Sequence, residues 1–158
     1  MKTFVLAEKP SQARDFYLPL LQKISGEKLV KKGNYYESQT YYLSWFFGHL
    51  MRTLEPVEYD AKYKNWSMDD LPIMPEPIQY CYRDNDIKIH GELLLNLCRQ
   101  SDLIVCATDP DREGEGIFRA FYDYHKINKP VKRLWAVSLN DEDLFNAWNN
   151  MKSGVEYD

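Results

Sequence analysis

The chain has 158 residues, 44% of them hydrophobic and 15% aromatic, with 24 acidic against 20 basic side chains and a formal net charge of −4. That is enough for one domain with a proper core; no apolar stretch is long enough to span a membrane and no charged-then-apolar leader opens the chain, so a cytoplasmic protein is expected. The acid excess runs against a plain nucleic-acid binder, which carries a basic footprint, and Cys81, Cys98 and Cys106 are too few and too unevenly spaced for a zinc site or a disulfide framework.

Taken in chain order, the apolar run around Lys2-Thr3-Phe4-Val5-Leu6-Ala7 predicts a buried strand over about 2–8. Pro10, followed by Ala13, Phe16, Leu20 and Leu21, predicts a helix over about 10–24. Residues 28–38 are polar, with Gly33-Asn34 as a hairpin signal. The next strand is Tyr41-Tyr42-Leu43-Ser44-Trp45-Phe46-Phe47. From Arg52 to Pro77 prolines, aromatics and charges mix without periodicity, which predicts a long surface connection. Its aromatics between residues 56 and 66 could stack on single-stranded bases; packing down onto the sheet is the favoured expectation. A short strand is predicted over Ile78 to Tyr82. A helix follows over Ile87 to Arg99, with Ile89, Leu93, Leu94 and Leu97 on one face.

The run Leu103-Ile104-Val105-Cys106-Ala107-Thr108 predicts a second fully buried strand, with Cys98 and Cys106 as buried thiols. After it come a helix over Glu113 to Ile127 with Ile117, Phe118, Phe121, Tyr122 and Tyr124 as its stripe, a strand near Val131–Val137, and a helix from Asp141 to Met151. Asn140 fits the N-cap of that last helix, with Asp143 in its first turn. Strands alternating with helices imply an α/β domain with a mostly parallel sheet covered by helices on both faces.

The most informative stretch is Asp109-Pro110-Asp111-Arg112-Glu113-Gly114-Glu115, four carboxylates within seven residues directly after a strand. Open parallel sheets build their sites at the carboxyl ends of strands. Carboxylates this close repel unless something positive compensates, and a hard divalent cation, above all Mg²⁺, takes oxygen ligands and keeps waters for a phosphate. The bland alternative is a solvated turn and an acidic first helical turn favoured by the helix dipole. Gly114 and Gly116, poor helix formers at a helix entry, suggest close approach of the backbone to a phosphate or a neighbouring strand. If the first strand lies parallel beside the Leu103 strand, Glu8 arrives at the same sheet end as Asp109. Asp109 and Asp111 are then the best metal ligands, with Glu113 a third, direct or through water. For Glu115 a solvated, dipole-complementing role is as good as a site role.

With those residues in place, the chain resembles the Toprim domain of a type IA DNA topoisomerase, closest to the topoisomerase III branch. The resemblance is carried by Ala7-Glu8-Lys9-Pro10-Ser11 and by Ala107 to Glu115. Gly48-His49-Leu50, the stretch from Pro56 through Tyr59, Tyr63, Trp66, Leu71-Pro72 and Pro75, and Lys132-Arg133-Leu134-Trp135 add to it. It spans nearly the whole chain, and combining the acidic run with the first-strand and Gly-His-Leu motifs makes it specific. It implies a Rossmann-like Toprim fold over 1–138, with 139–158 a helix leading toward DNA-gate domains beyond the chain. It also implies Mg²⁺-dependent, ATP-independent cleavage and rejoining of single DNA strands through a phosphotyrosine whose tyrosine lies in a later domain.

The resemblance further implies Mg²⁺ held by Asp109, Asp111 and Glu113, with Glu8 as general acid toward the 3′ oxygen or as another metal ligand. Among crowded carboxylates one acid is expected to keep its proton part of the time. Lys9 and Arg112 resemble phosphate-contacting groups; local salt bridging is their alternative, and Lys9 has the stronger case. Arg133 matches the family's arginine near the site, against a solvated edge charge. His49 takes a DNA-facing or site-supporting role, against a structural one; His90 and His125 have no such support. Partners implied are single-stranded DNA segments and the remaining domains of the same polypeptide, with no membrane and no obligate protein partner, in the cytoplasm at nucleoid or plasmid DNA. A free-standing Toprim nuclease and a non-catalytic Toprim-like binding module are the rivals.

Overall fold

The computed structural model describes residues 1–154. Residues 155–158, the end of the expected C-terminal extension, lie outside the described residues. Among the described residues nine strands form, β1 (Thr3–Ala7), β2 (Val30–Lys32), β3 (Tyr35–Glu37), β4 (Tyr41–Trp45), β5 (Met51–Thr53), β6 (Tyr80–Tyr82), β7 (Leu103–Ala107), β8 (Val131–Arg133) and β9 (Lys152–Ser153). The helices are α1 (Pro10–Gln12), α2 (Leu18–Ser25), α3 (Pro56–Tyr59), α4 (Asn85–Gln100), α5 (Arg112–Tyr124) and α6 (Asp141–Asn149). Seven strands make one sheet in the order β2-β3-β4-β1-β7-β8-β9. Its middle, β4-β1-β7-β8, is parallel, and the hairpin at one edge and β9 at the other run antiparallel.

β1 sits at the centre, and alternate side chains feed two cores. Val5 and Ala7 face one with Tyr17, Leu21, Leu43, Val105 and Leu144; Phe4 and Leu6 face the other with Leu94, Leu97, Ile104, Phe118 and Phe121. Helices therefore cover both faces, α2 and α6 on one and α4 and α5 on the other, as the alternation of strands and helices implies. The hairpin forms where expected, with Gly33 left-handed at φ 65° in the turn.

Several boundaries and faces differ from the sequence reading. A π-helical turn, Ala13–Tyr17, separates α1 from α2. Pro19 has no N–H to give the Asp15 carbonyl and its ring crowds that carbonyl, which widens the helix there. In α4 the buried face is His90, Gly91, Leu94, Leu97 and Cys98, while Ile89 points outward at 68% exposure. Gly91 sets this rotation, because a Cβ there would lie 2.3 Å from the Tyr82 ring. Asp84 caps α4 by accepting from the Ile87 N–H at 2.8 Å. On α5 Tyr124 turns outward, whereas Ile117, Phe118 and Phe121 are buried. The expected strand to Val137 keeps its ladder only to Arg133, and β9 pairs along it.

The stretch from Arg52 to Pro77 is the expected surface connection, but the expected packing of its aromatics onto the sheet does not occur. No side chain between residues 52 and 80 is buried, and Trp66 is 54% exposed. Its aromatics do not pack onto the sheet. The segment closes on itself through α3, the 3-10 turns Ala61–Asn65 and Met68–Asp70, and a base formed by the β5-β6 pair. The Gln79 N–H donates to the Tyr59 hydroxyl at 2.7 Å, so local bonds satisfy the backbone without help from the core.

His90 links the fold to pH. Its Nε2–H donates to the Trp45 carbonyl at 2.7 Å, and Nδ1 is buried without a partner among the described residues. Burial lowers its pKa below the ordinary 6.5. The unfolded chain therefore takes up this proton first, and the stability contribution is complete above about pH 6.5 and is lost as pH falls below it. His125, also held down by burial, acts in the same direction. We expect a lower urea midpoint at about pH 5.5 than at about pH 7.5, with a smaller drop in His90→Gln.

Candidate active site

The parallel pairing of β1 with β7 puts Ala7 opposite Ala107, so Glu8 and the Thr108-Asp109 turn leave the sheet side by side. Glu8 is buried at the bottom of the site, 5% exposed, with both carboxylate oxygens accepting. Its Oε2 takes the Asp109 backbone N–H at 3.0 Å and its Oε1 meets Lys9 Nζ at 2.9 Å. Lys9 also reaches Asp109 Oδ2 at 3.2 Å, so one ammonium bridges the acids of two strands. These hydrogen bonds, that to Glu8 first, hold the Lys9 pKa above the ordinary lysine value.

Gln12, which sequence reasoning missed, completes this corner. Its amide nitrogen donates to Asp109 Oδ1, and its carbonyl oxygen accepts the Lys9 backbone N–H at 3.2 Å. Its position three residues after Lys9, in the first turn behind Pro10, was the available signal.

Asp111 is the N-cap of α5, its Oδ1 accepting the Gly114 N–H at 2.7 Å while its own N–H donates to the Asp109 carbonyl at 2.9 Å. The close approach anticipated at the glycines is real for Gly114 alone: a Cβ there would stand 2.2 Å from the Asp109 carbonyl oxygen, whereas one on Gly116 meets nothing within 4 Å. What approaches Gly114 is the acid turn itself. Glu113 is exposed and lies 3.7 Å from His49 Nε2, across from the loop after β4. Arg112 is exposed on the first turn of α5 and pairs with no carboxylate among the described residues.

Arg133 is neither an edge charge nor solvent-facing. It is 1% exposed, and its guanidinium donates to the carbonyls of Cys106, Thr108, Leu134 and Asp109 at 3.2, 2.8, 3.3 and 2.8 Å. Its Nε donates to Glu115 Oε2 at 3.0 Å, and Arg119 Nε meets the other oxygen of Glu115 at 3.0 Å. Glu115 is thus the counter-charge of a buried arginine rather than a solvated acid, and the pair props the turn that carries Asp109.

The donor set is hard carboxylate oxygen, which suits a divalent cation of the Mg²⁺ type. Among the described residues no three His, Cys, Asp or Glu side chains already converge as a cage. The position between Glu8 and Asp109, where positive charge is wanted, is filled by the Lys9 ammonium.

An α/β domain with acids at the carboxyl ends of two adjacent parallel strands, one of them capping the following helix, has the open-sheet architecture whose ligand sites lie at those strand ends. The chain belongs to the Toprim domain family, whose pattern matches residues 3–139. It is 40% identical over 159 aligned residues to DNA topoisomerase 3 of Bacillus cereus and 37% identical to that of Bacillus subtilis, in each case covering 99% of this chain. It spans 21% of the length of each of these relatives. The fold is shared with full-length topoisomerase I from Thermotoga maritima, at a TM-score of 0.55 and 16% identity over 95% of this chain and 21% of that one. Among the described residues no helix is long and apolar enough to cross a membrane.

Proposed function

We propose that this chain is the metal-holding portion of a type IA DNA topoisomerase of the topoisomerase III branch, acting on single DNA strands with Mg²⁺ in the cytoplasm. One observation carries the reading. Glu8 and the acid turn meet at adjacent strand ends with Lys9 between them, which provides an acid, a set of oxygen ligands and a cation for one phosphodiester.

Asp109, Asp111 and Glu113 would hold the ion. Bound there, Mg²⁺ would supply positive charge against the phosphate and the returning 3′ hydroxyl. Lys9, released from Asp109, turns its ammonium to the phosphate oxygens, and Arg112 adds an exposed forked donor. Glu8, buried and next to the leaving position, takes a proton from solvent as the Lys9 ammonium swings away to the phosphate, gives it to the 3′ oxygen on cleavage and takes one back on rejoining. His49 lines the far rim. The nucleophilic tyrosine belongs to the remaining domains of the longer polypeptide, which the resemblance places after residues 139–158.

Two measurements test this. Titration calorimetry should show weak Mg²⁺ binding to the chain, lost in Asp111→Asn. Grafted in place of the matching portion of the Bacillus cereus relative, the chain should support Mg²⁺-dependent relaxation of supercoiled plasmid, abolished by Glu8→Gln, while the chain alone relaxes nothing. Plasmid nicking by the chain alone, lost in Asp111→Asn, would point to a nuclease instead; absence of Mg²⁺ binding would remove the metal from the scheme.

A further inference from the structure

We propose that Gln12 is a positioning residue for the divalent cation: its amide aims the Asp109 carboxylate and keeps it aimed when Lys9 leaves. The inference rests on Asp109 being a metal ligand. The Asp109 backbone is already pinned. Its N–H donates to Glu8 at 3.0 Å, and its carbonyl accepts Arg133 Nη2 at 2.8 Å and the Asp111 N–H at 2.9 Å. Those bonds leave the rotation of the side chain free. Two donors set it, Gln12 Nε2 on Oδ1 and Lys9 Nζ on Oδ2.

The two donors differ in kind. Lys9 is half exposed, carries a full positive charge and lies between two carboxylates, where a cation is wanted. An ion arriving at Asp109 repels it, and a phosphate draws it away. The Gln12 amide is neutral and uses one lone pair of Oδ1, so Asp109 keeps lone pairs on both oxygens for a metal. Carboxylates that bind metals are oriented by outer donors of this type, and losing one costs roughly 10–100-fold in metal affinity. Once Lys9 has turned to the phosphate, Gln12 is the one of the two that remains.

The residue at position 12 answers to Asp109 as well as to its own helix. Gln12 ends the short α1, and its Oε1 accepts the Lys9 backbone N–H at 3.2 Å, the reach-back bond of a helix start. The Ala13 N–H closes the same turn on the Lys9 carbonyl at 3.2 Å. A glutamate would make that reach-back bond equally well. It would also set another carboxylate against Asp109, in a corner that already holds Glu8. Glutamine accepts with one end and donates with the other. Its amide has one workable orientation, because the reverse would set N–H against the Lys9 N–H and oxygen against Asp109 Oδ1. One side chain thus ties the turn after β1 to the turn after β7.

The test is Mn²⁺ binding, followed by the EPR signal of the free ion, since Mn²⁺ takes the same oxygen ligands as Mg²⁺. Gln12→Met, matched in length but without donor or acceptor, should bind Mn²⁺ about tenfold more weakly than the wild-type chain. Gln12→Asn, which keeps the amide but falls a methylene short of Asp109, should weaken binding as well. Asn140→Ala removes a helix cap whose side chain bonds Ser138 and Asp143, and serves as the control for lost stability alone; it should bind Mn²⁺ as wild type does. In the graft on the Bacillus cereus relative, Gln12→Met should raise the half-saturating Mg²⁺ concentration about tenfold and lower the rate at saturating Mg²⁺ much less. Wild-type Mn²⁺ affinity in Gln12→Met and Gln12→Asn, or an equal loss in Asn140→Ala, would overturn the positioning role and leave the metal reading standing. Failure of the wild-type chain to bind either ion would overturn both.

Discussion

Gly114→Ala is expected to destabilise the chain by about 3 kcal/mol, while Gly116→Ala, two residues on in the same helix, is expected to stabilise it by about 0.5–1 kcal/mol. Both changes remove the backbone entropy cost of a helical glycine. They differ in what the new methyl meets. At Gly114 it would stand 2.2 Å from the Asp109 carbonyl oxygen and 2.9 Å from the Asp109 nitrogen, backbone atoms that cannot step aside. The helix start or the acid turn must move, and either shift breaks the Asp111 cap on Gly114. At Gly116 the methyl enters open space. Thermal melts should separate the two by roughly 10 °C in a domain of this size. Mg²⁺ binding should be lost in Gly114→Ala and kept in Gly116→Ala. Equal melting temperatures would show that the turn does not rest on the helix.

The second large effect is expected at Arg133. Arg133→Met should cost about 3–5 kcal/mol, because it strands the Glu115 carboxylate, 17% exposed, with Arg119 as its remaining cation and leaves the Thr108 carbonyl without its buried donor. Arg133→Lys should recover little, since a point ammonium cannot donate in a fork to several carbonyls and a carboxylate together. Glu115→Gln keeps an acceptor for the guanidinium and should cost less. Urea midpoints order the three, with Arg133→Met lowest and Glu115→Gln nearest wild type. A near-wild-type midpoint for Arg133→Lys would mean that charge rather than fork geometry holds the turn.

Much of the architecture was legible because its signals are local. The apolar runs before Glu8 and Asp109 can only be buried strands, and carboxylates following them must come to the sheet edge. Gly33-Asn34 marks its hairpin, and Asn140 its helix cap, accepting from the Asp143 N–H at 2.9 Å. The aromatics between residues 56 and 66 carry no periodicity that says what they touch, which is why their expected packing onto the sheet fails while the surface connection itself is legible. Ile89 and Tyr124 were assigned inward on spacing alone, whereas the packing of Gly91 against Tyr82 and of Phe121 against Phe46, 5.6 Å between ring centroids, decides which stripe is buried.

The chain order of strands and helices, the two acidic strand ends and the family they resemble are properties of short stretches, and periodicity and residue type suffice to read them. The roles inside the site depend on contacts across about a hundred residues. That Lys9 bridges Glu8 and Asp109 and that Arg133 with Glu115 forms an inner prop follow from where β1, β7, β8 and α5 meet. Spacing along the chain carries no information about such meetings, because burial and hydrogen-bond satisfaction are settled only when distant segments share one interior.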